Sequence, residues 1–134
     1  MLTRRGFAAC ALCAISGFIA TGAYAQSAAP AGFKRTIIKQ TDGPMEGYVT
    51  VNVRVEIDPG AVIARHTHPG IESSYIVEGT LELSVEGEAT RTIAAGDGFQ
   101  VAPRVPHSGK AGDKPAIIAA TYVVEKGKPL ASPA

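Results

Sequence analysis

From Val51 to Ile57 the chain alternates apolar and polar residues, with Asn52, Arg54 and Glu56 set between Val51, Val53, Val55 and Ile57. Strand side chains point to opposite faces in turn, so this period of two predicts a half-buried strand. Asp58-Pro59-Gly60 is a turn signal. Further strands are predicted over 61–68 and 73–77. Glu78-Gly79 predicts a tight reversal into a strand over 80–85, where Leu81, Leu83 and Val85 alternate with polar residues. Glu86-Gly87 predicts a second reversal, before a strand over 89–93. Gly96-Asp97-Gly98 leads into a short strand over 99–101 with Phe99 and Val101 as core, and Pro103 to Pro106 bends the chain again. The β-branched run from Ala116 to Val124 is expected to close the sheet. No segment beyond residue 25 carries a helical period. Short strands between frequent turns predict an all-β sandwich or barrel, and a jelly-roll barrel suits a chain of this length.

The first quarter has a different pattern. A twin arginine, Arg4-Arg5, precedes an apolar run of 14 residues (7 to 20) and then Ala23-Tyr24-Ala25. A charged start, a short apolar middle and a small-x-small end predict a cleavable signal peptide over 1–25. The run falls short of the roughly 20 residues that span a bilayer, so no permanent membrane anchor is expected. Twin arginine followed by x-Phe resembles the Tat export signal, with Sec export as the alternative. Either machinery places the protein in the periplasm or outside the cell. Cys10 and Cys13 have a Cys-x-x-Cys spacing, but both lie in the apolar signal core and read as small apolar residues of it. Cleavage after Ala25 leaves 109 residues (134 minus 25) without cysteine. Residues 26–32 are read as a flexible leader, 33–125 as the barrel and 126–134 as a flexible tail.

Composition narrows the options. A length of 134 residues suggests one domain, and 46% hydrophobic with 19% charged residues is globular. The net charge of +1, with no basic stretch interleaved with aromatics, argues against a nucleic-acid partner. Aromatics are only 6% and Trp is absent, so a large aromatic ligand pocket is not expected.

The chain has three histidines: His66, His68 and His107. On a strand His66 and His68 share a face. Glu72 follows four residues on, across the Pro69-Gly70 kink, and faces the same way if the register resumes. Imidazole nitrogen and carboxylate oxygen are ordinary ligands of divalent transition metals. Two histidines and a carboxylate on one face resemble the facial arrangement of non-heme iron sites.

These residues carry a resemblance to a family. Gly60, five residues, His66-x-His68, three residues, Glu72, six residues and Gly79 match the first cupin motif at every fixed position. Gly96, Pro106 and His107 match part of the second motif, while Ala102, Arg104 and Ala111 depart from a frequent Pro, Gly and Asn. The resemblance covers about Val49 to Val124. It implies a cupin (RmlC-like) jelly-roll barrel in which His66, His68, Glu72 and His107 hold one divalent ion: iron, manganese, nickel, cobalt, copper or zinc. It also implies a small-molecule ligand or substrate, a homodimer, and quercetin-dioxygenase-like oxidation of a small organic substrate. Isomerase or lyase chemistry on the same fold is an alternative, as is non-catalytic binding of a metal or small ligand in the periplasm. Glu72 is a candidate base. Gln100, Arg54, Arg104 and Tyr75 are candidate substrate-binding residues, although Tyr75, at an odd offset from Glu72, should face away from the metal. Gly60, Gly79 and Gly96 are read as turn positions that require positive φ.

Overall fold

The computed structural model describes residues 31–134, and among these the chain forms ten strands and no helix. They are β1 (Phe33–Asp42), β2 (Tyr48–Ile57), β3 (Val62–Thr67), β4 (Gly70–Glu78), β5 (Thr80–Val85), β6 (Arg91–Ala94), β7 (Gly98–Val101), β8 (His107–Ala111), β9 (Ala116–Glu125) and β10 (Ser132–Pro133). The predicted signal peptide and the leader up to Pro30 lie outside the described residues. One sheet runs β1-β2-β9-β4-β7 and the other β10-β3-β8-β5-β6. The expected all-β, two-sheet barrel is therefore present.

Alternation builds the core. Val49, Val51, Val53, Val55 and Ile57 of β2 are all at most 4% exposed, and Leu81, Leu83 and Val85 of β5 are buried in the opposite sheet. Burying each such side chain stabilises the fold by roughly 1.5–3 kcal/mol, so two interlocking faces of them hold the layers together. Gly60, Gly79 and Gly96 have φ of +69°, +75° and +96°, as their turn positions demand.

Five features differ from the sequence pattern. β9 does not close the sheet but lies at its centre, antiparallel to both β2 and β4. Its β-branched and small side chains suit a strand with a neighbour on each side. β1 escaped the pattern because a register shift between Ile37 and Lys39 breaks its alternation at the sheet edge. β8 reads His-Ser-Gly-Lys-Ala, which has little strand propensity, and is formed by its two partners, β3 and β5. The stretch 126–134, expected as a flexible tail, is tied down. Ser132 and Pro133 pair with Thr67 and His66, the Ala134 N–H donates to the Arg65 carbonyl, and Leu130 packs on the core. An uncovered edge on β3 would leave its backbone groups unpaired, and the tail fills that place. The end of the leader is likewise fixed, because the Gly32 carbonyl accepts the Asp58 N–H at 2.8 Å.

Candidate metal centre

The two sheets share the site between them. β3 carries His66 and β8 carries His107 on one sheet, and His68 lies just beyond β3, in the link that crosses to β4. β4 carries Glu72 on the other. His66 and His107 are register partners across β3 and β8, and Glu72 and Tyr122 across β4 and β9. Partners in register point to the same side of a sheet, so both pairs face into the barrel. Gly70 lets β4 approach β9: a Cβ there would stand 2.0 Å from the Val123 carbonyl oxygen.

One ligand atom from each of His66, His68, Glu72 and His107 lies within 4.8 Å of the others. His68, Glu72 and His107 are 2%, 6% and 3% exposed, and His66 is half-buried. Nδ1 of His66, His68 and His107 stands 2.7, 2.6 and 2.9 Å from the carbonyl oxygens of Ala64, Leu130 and Val105. A carbonyl only accepts, so each Nδ1 carries a proton, and in a neutral ring that leaves the Nε2 lone pair free to ligate. Two of those lone pairs point at one oxygen: Nε2 of both His68 and His107 lies 3.1 Å from Glu72 Oε2. His68 Nε2 is buried and not aligned to hydrogen-bond with that oxygen. Acceptors facing acceptors in a buried site call for a cation between them. Nitrogen and oxygen donors of this kind suit a divalent transition metal. The cluster is thus positioned for one divalent metal ion.

Glu72 is fixed at both ends. The Ser74 hydroxyl donates to Oε1 at 2.6 Å and the Tyr122 hydroxyl to the same oxygen at 3.4 Å. With Oε1 facing two hydroxyls and Oε2 facing two imidazole nitrogens, Glu72 is placed as a ligand. Burial pushes the His66 imidazole down to about 4, which keeps it neutral and able to ligate. Burial, reinforced by the Glu72 charge, pushes the Tyr122 phenol up, so it remains a hydrogen-bond donor.

A cavity of about 30 Å³ opens beside the cluster and is lined in part by His66, Glu72 and His107. The substrate-binding candidates are not on its wall. Arg54 is exposed and pairs with Glu56, while the exposed Gln100 donates to Ser73 Oγ at 3.3 Å on the outer face of the same sheet. Tyr75 is 51% exposed on that outer face, as its odd offset from Glu72 requires. Arg104 is exposed and pairs with Glu125, and its N–H donates to the His68 carbonyl at 2.9 Å. Its φ of 62° explains why a glycine is frequent at this motif position. The groups the sequence reading missed are Ser74, Tyr122 and the Leu130 carbonyl. Two-residue spacing from Glu72 marks Ser74; a backbone carbonyl 62 residues from its histidine leaves no sequence signal.

A two-sheet barrel with three histidines and one carboxylate converging inside it defines a class of metal-binding β-barrels. The family described as the cupin domain matches residues 53–125, and the chain belongs to that family. No curated protein matches the chain. Among solved structures, an RmlC-like cupin from Shewanella frigidimarina is 26% identical, covering 73% of this chain and 81% of its own, with a TM-score of 0.60. KdgF from Halomonas sp. is 28% identical, covering 72% and 83%, with a TM-score of 0.57. The DMSP lyase DddQ from Ruegeria pomeroyi shares the fold at 21% identity, covering 83% of this chain and 58% of its own, with a TM-score of 0.65.

Proposed function

We propose that this cupin is an exported metal-dependent enzyme acting on a small organic substrate, with dioxygen-dependent, quercetin-dioxygenase-like oxidation as its reaction class. The observation that carries the enzyme reading is that pre-oriented donors form part of the wall of a cavity with room for a further ligand. When bound, the metal supplies Lewis-acid polarisation of a substrate oxygen. The protein supplies the rest. Three carbonyls hold the imidazole rings, Ser74 and Tyr122 hold Glu72, and apolar side chains such as Leu81, Phe99 and Ile118 keep water low around the reacting groups. The first-motif spacing supports the reaction class, and the twin arginine supports export in folded form.

Metal analysis of protein taken from its native compartment tests the site. Stoichiometric metal in the wild type and its loss in His66→Ala and His107→Ala are expected; full metal content in either variant would sink the assignment. Oxygen uptake with a panel of enols, diketones and flavonols tests the chemistry. Absence of turnover in every metal form, together with tight small-ligand binding, would make the protein a binder instead. Arg4→Lys with Arg5→Lys should stop export by the Tat route.

A further inference from the structure

We propose that the outer face of the β1-β2-β9-β4-β7 sheet pairs two copies of this chain, with β4 and β9 at the centre of the contact. Three of the seven large hydrophobic residues exposed among the described ones are Ile71, Tyr75 and Val77, and all three are on β4. β4 is an interior strand, between β9 and β7, and Glu72, Ser74 and Ile76 are buried on its inward face. A strand with one solvated face ordinarily turns polar residues outward, and β4 instead turns apolar ones. β9 continues the patch. Val123 lies in register with Ile71 and Ala119 with Tyr75, and register partners share a side of the sheet. Between their ends neither strand puts a charged side chain on this face. The other sheet shows the ordinary pattern, with the register partners Glu82 and Lys110 exposed on its outer face. A contiguous exposed apolar patch with a polar rim marks an interaction surface.

Symmetry points to a second copy as the occupant. In a two-fold dimer one patch meets itself, so a charge near the axis would meet its like. The centre of this face is free of charge. Beside it stand groups that pair with their own kind. Asn52 donates to Thr121 Oγ1 at 2.8 Å and Gln100 to Ser73 Oγ at 3.3 Å, and an amide offers both donors and an acceptor. At the margin Arg54 and Glu56 pair with each other. The area is sufficient. Five strands about 4.8 Å apart, taken over roughly eight residues of about 3.3 Å each, give on the order of 600 Å² per copy, at the low end of specific interfaces. The free edge of the sheet is the poorer place to pair. β1 carries Lys34, Lys39 and a register shift after Ile37, devices that blunt an edge strand. The copies therefore meet face to face.

Sedimentation velocity of the protein purified from its native compartment is the test. Wild type should sediment as a dimer at about 10 µM. Tyr75→Lys and Ala119→Arg each set a charge against its own copy and should weaken dimerisation by roughly a hundredfold or more. Metal content and circular dichroism should stay unchanged, because both residues point away from the metal centre. Either variant serves if the other does not fold. Val62→Lys, on the other sheet, and Ile38→Lys, on the β1 edge, remove equally exposed apolar residues and should leave the dimer intact. A wild type that stays monomeric up to about 100 µM overturns the proposal. A different protein seated on this face would give that same monomeric result. A dimer that survives both Tyr75→Lys and Ala119→Arg, or is lost in Val62→Lys or Ile38→Lys instead, overturns it as well.

Discussion

Nδ1 of His68 donates to the carbonyl oxygen of Leu130 at 2.6 Å, joining a metal ligand to the far end of the chain. The stretch that follows adds β10 to the edge of β3, beside His66. Deleting residues 130–134 should therefore weaken metal binding by roughly tenfold or more, as loss of a ligand's orienting partner does elsewhere. Competition against a chelator reads this, with circular dichroism showing the barrel intact. Unchanged affinity would mean that the ring is held by packing alone.

Ser74 and Tyr122 share one oxygen of Glu72 but not equally. The Ser74 bond is 2.6 Å and the Tyr122 bond 3.4 Å. Ser74→Ala should cost metal affinity more than Tyr122→Phe, about 1–2 kcal/mol against less than about 1 kcal/mol. The double variant should show coupling, because each hydroxyl can partly replace the other. Metal titrations of the four proteins close this cycle, and the reverse order would refute the ranking.

Acidification should destabilise the metal-free protein. His66 has its imidazole pushed down from 6.5 to about 4 by burial, aided by the nearby His107 and His68. Between those values the unfolded chain takes up a proton that the folded chain does not, so stability rises with pH across that window. Above pH 6.5 the contribution is fully present, and by pH 4 it is lost. The size is on the order of 2 kcal/mol after allowance for solvent screening. Melting curves of wild type and His66→Gln between pH 4 and 7 measure it: the variant should show the shallower dependence.

Gly70 and Gly60 should respond differently to alanine. At Gly70 the new Cβ would meet the Val123 carbonyl oxygen at 2.0 Å, forcing β4 away from β9 two residues before Glu72. Gly70→Ala should cost about 2 kcal/mol or more and also weaken metal binding. At Gly60 nothing stands within 4 Å, and only the φ of +69° resists a side chain. Gly60→Ala should cost about 1 kcal/mol and leave the metal site unaffected. Denaturant midpoints with parallel metal titrations separate the two effects.

The strands with clean alternation were legible in the sequence, because burial of one face imposes a period of two. β2 and β5 show this best. All four donors were legible as well, since a metal site needs specific side chains and the motif fixes their spacing. What escaped was set by partners distant in sequence. β8 exists because two neighbours hydrogen-bond to it, and β10 because an edge needed covering. Arg54 and Gln100 were misplaced for a related reason: proximity to the motifs in sequence says nothing about which face of the sheet a residue occupies. The outward side of Tyr75 followed from parity alone.

Glu72 reaches the centre from one sheet, His66 and His107 from the other, and His68 from the link between them. An ion bound there works as a rivet through both layers, in a domain whose described residues contain no cysteine to form a covalent tie. Spreading the sheets breaks coordination, and extracting the ion frees them to spread. Metal occupancy and barrel closure thus become a single equilibrium. Metal supply where the chain folds would then govern which ion it holds.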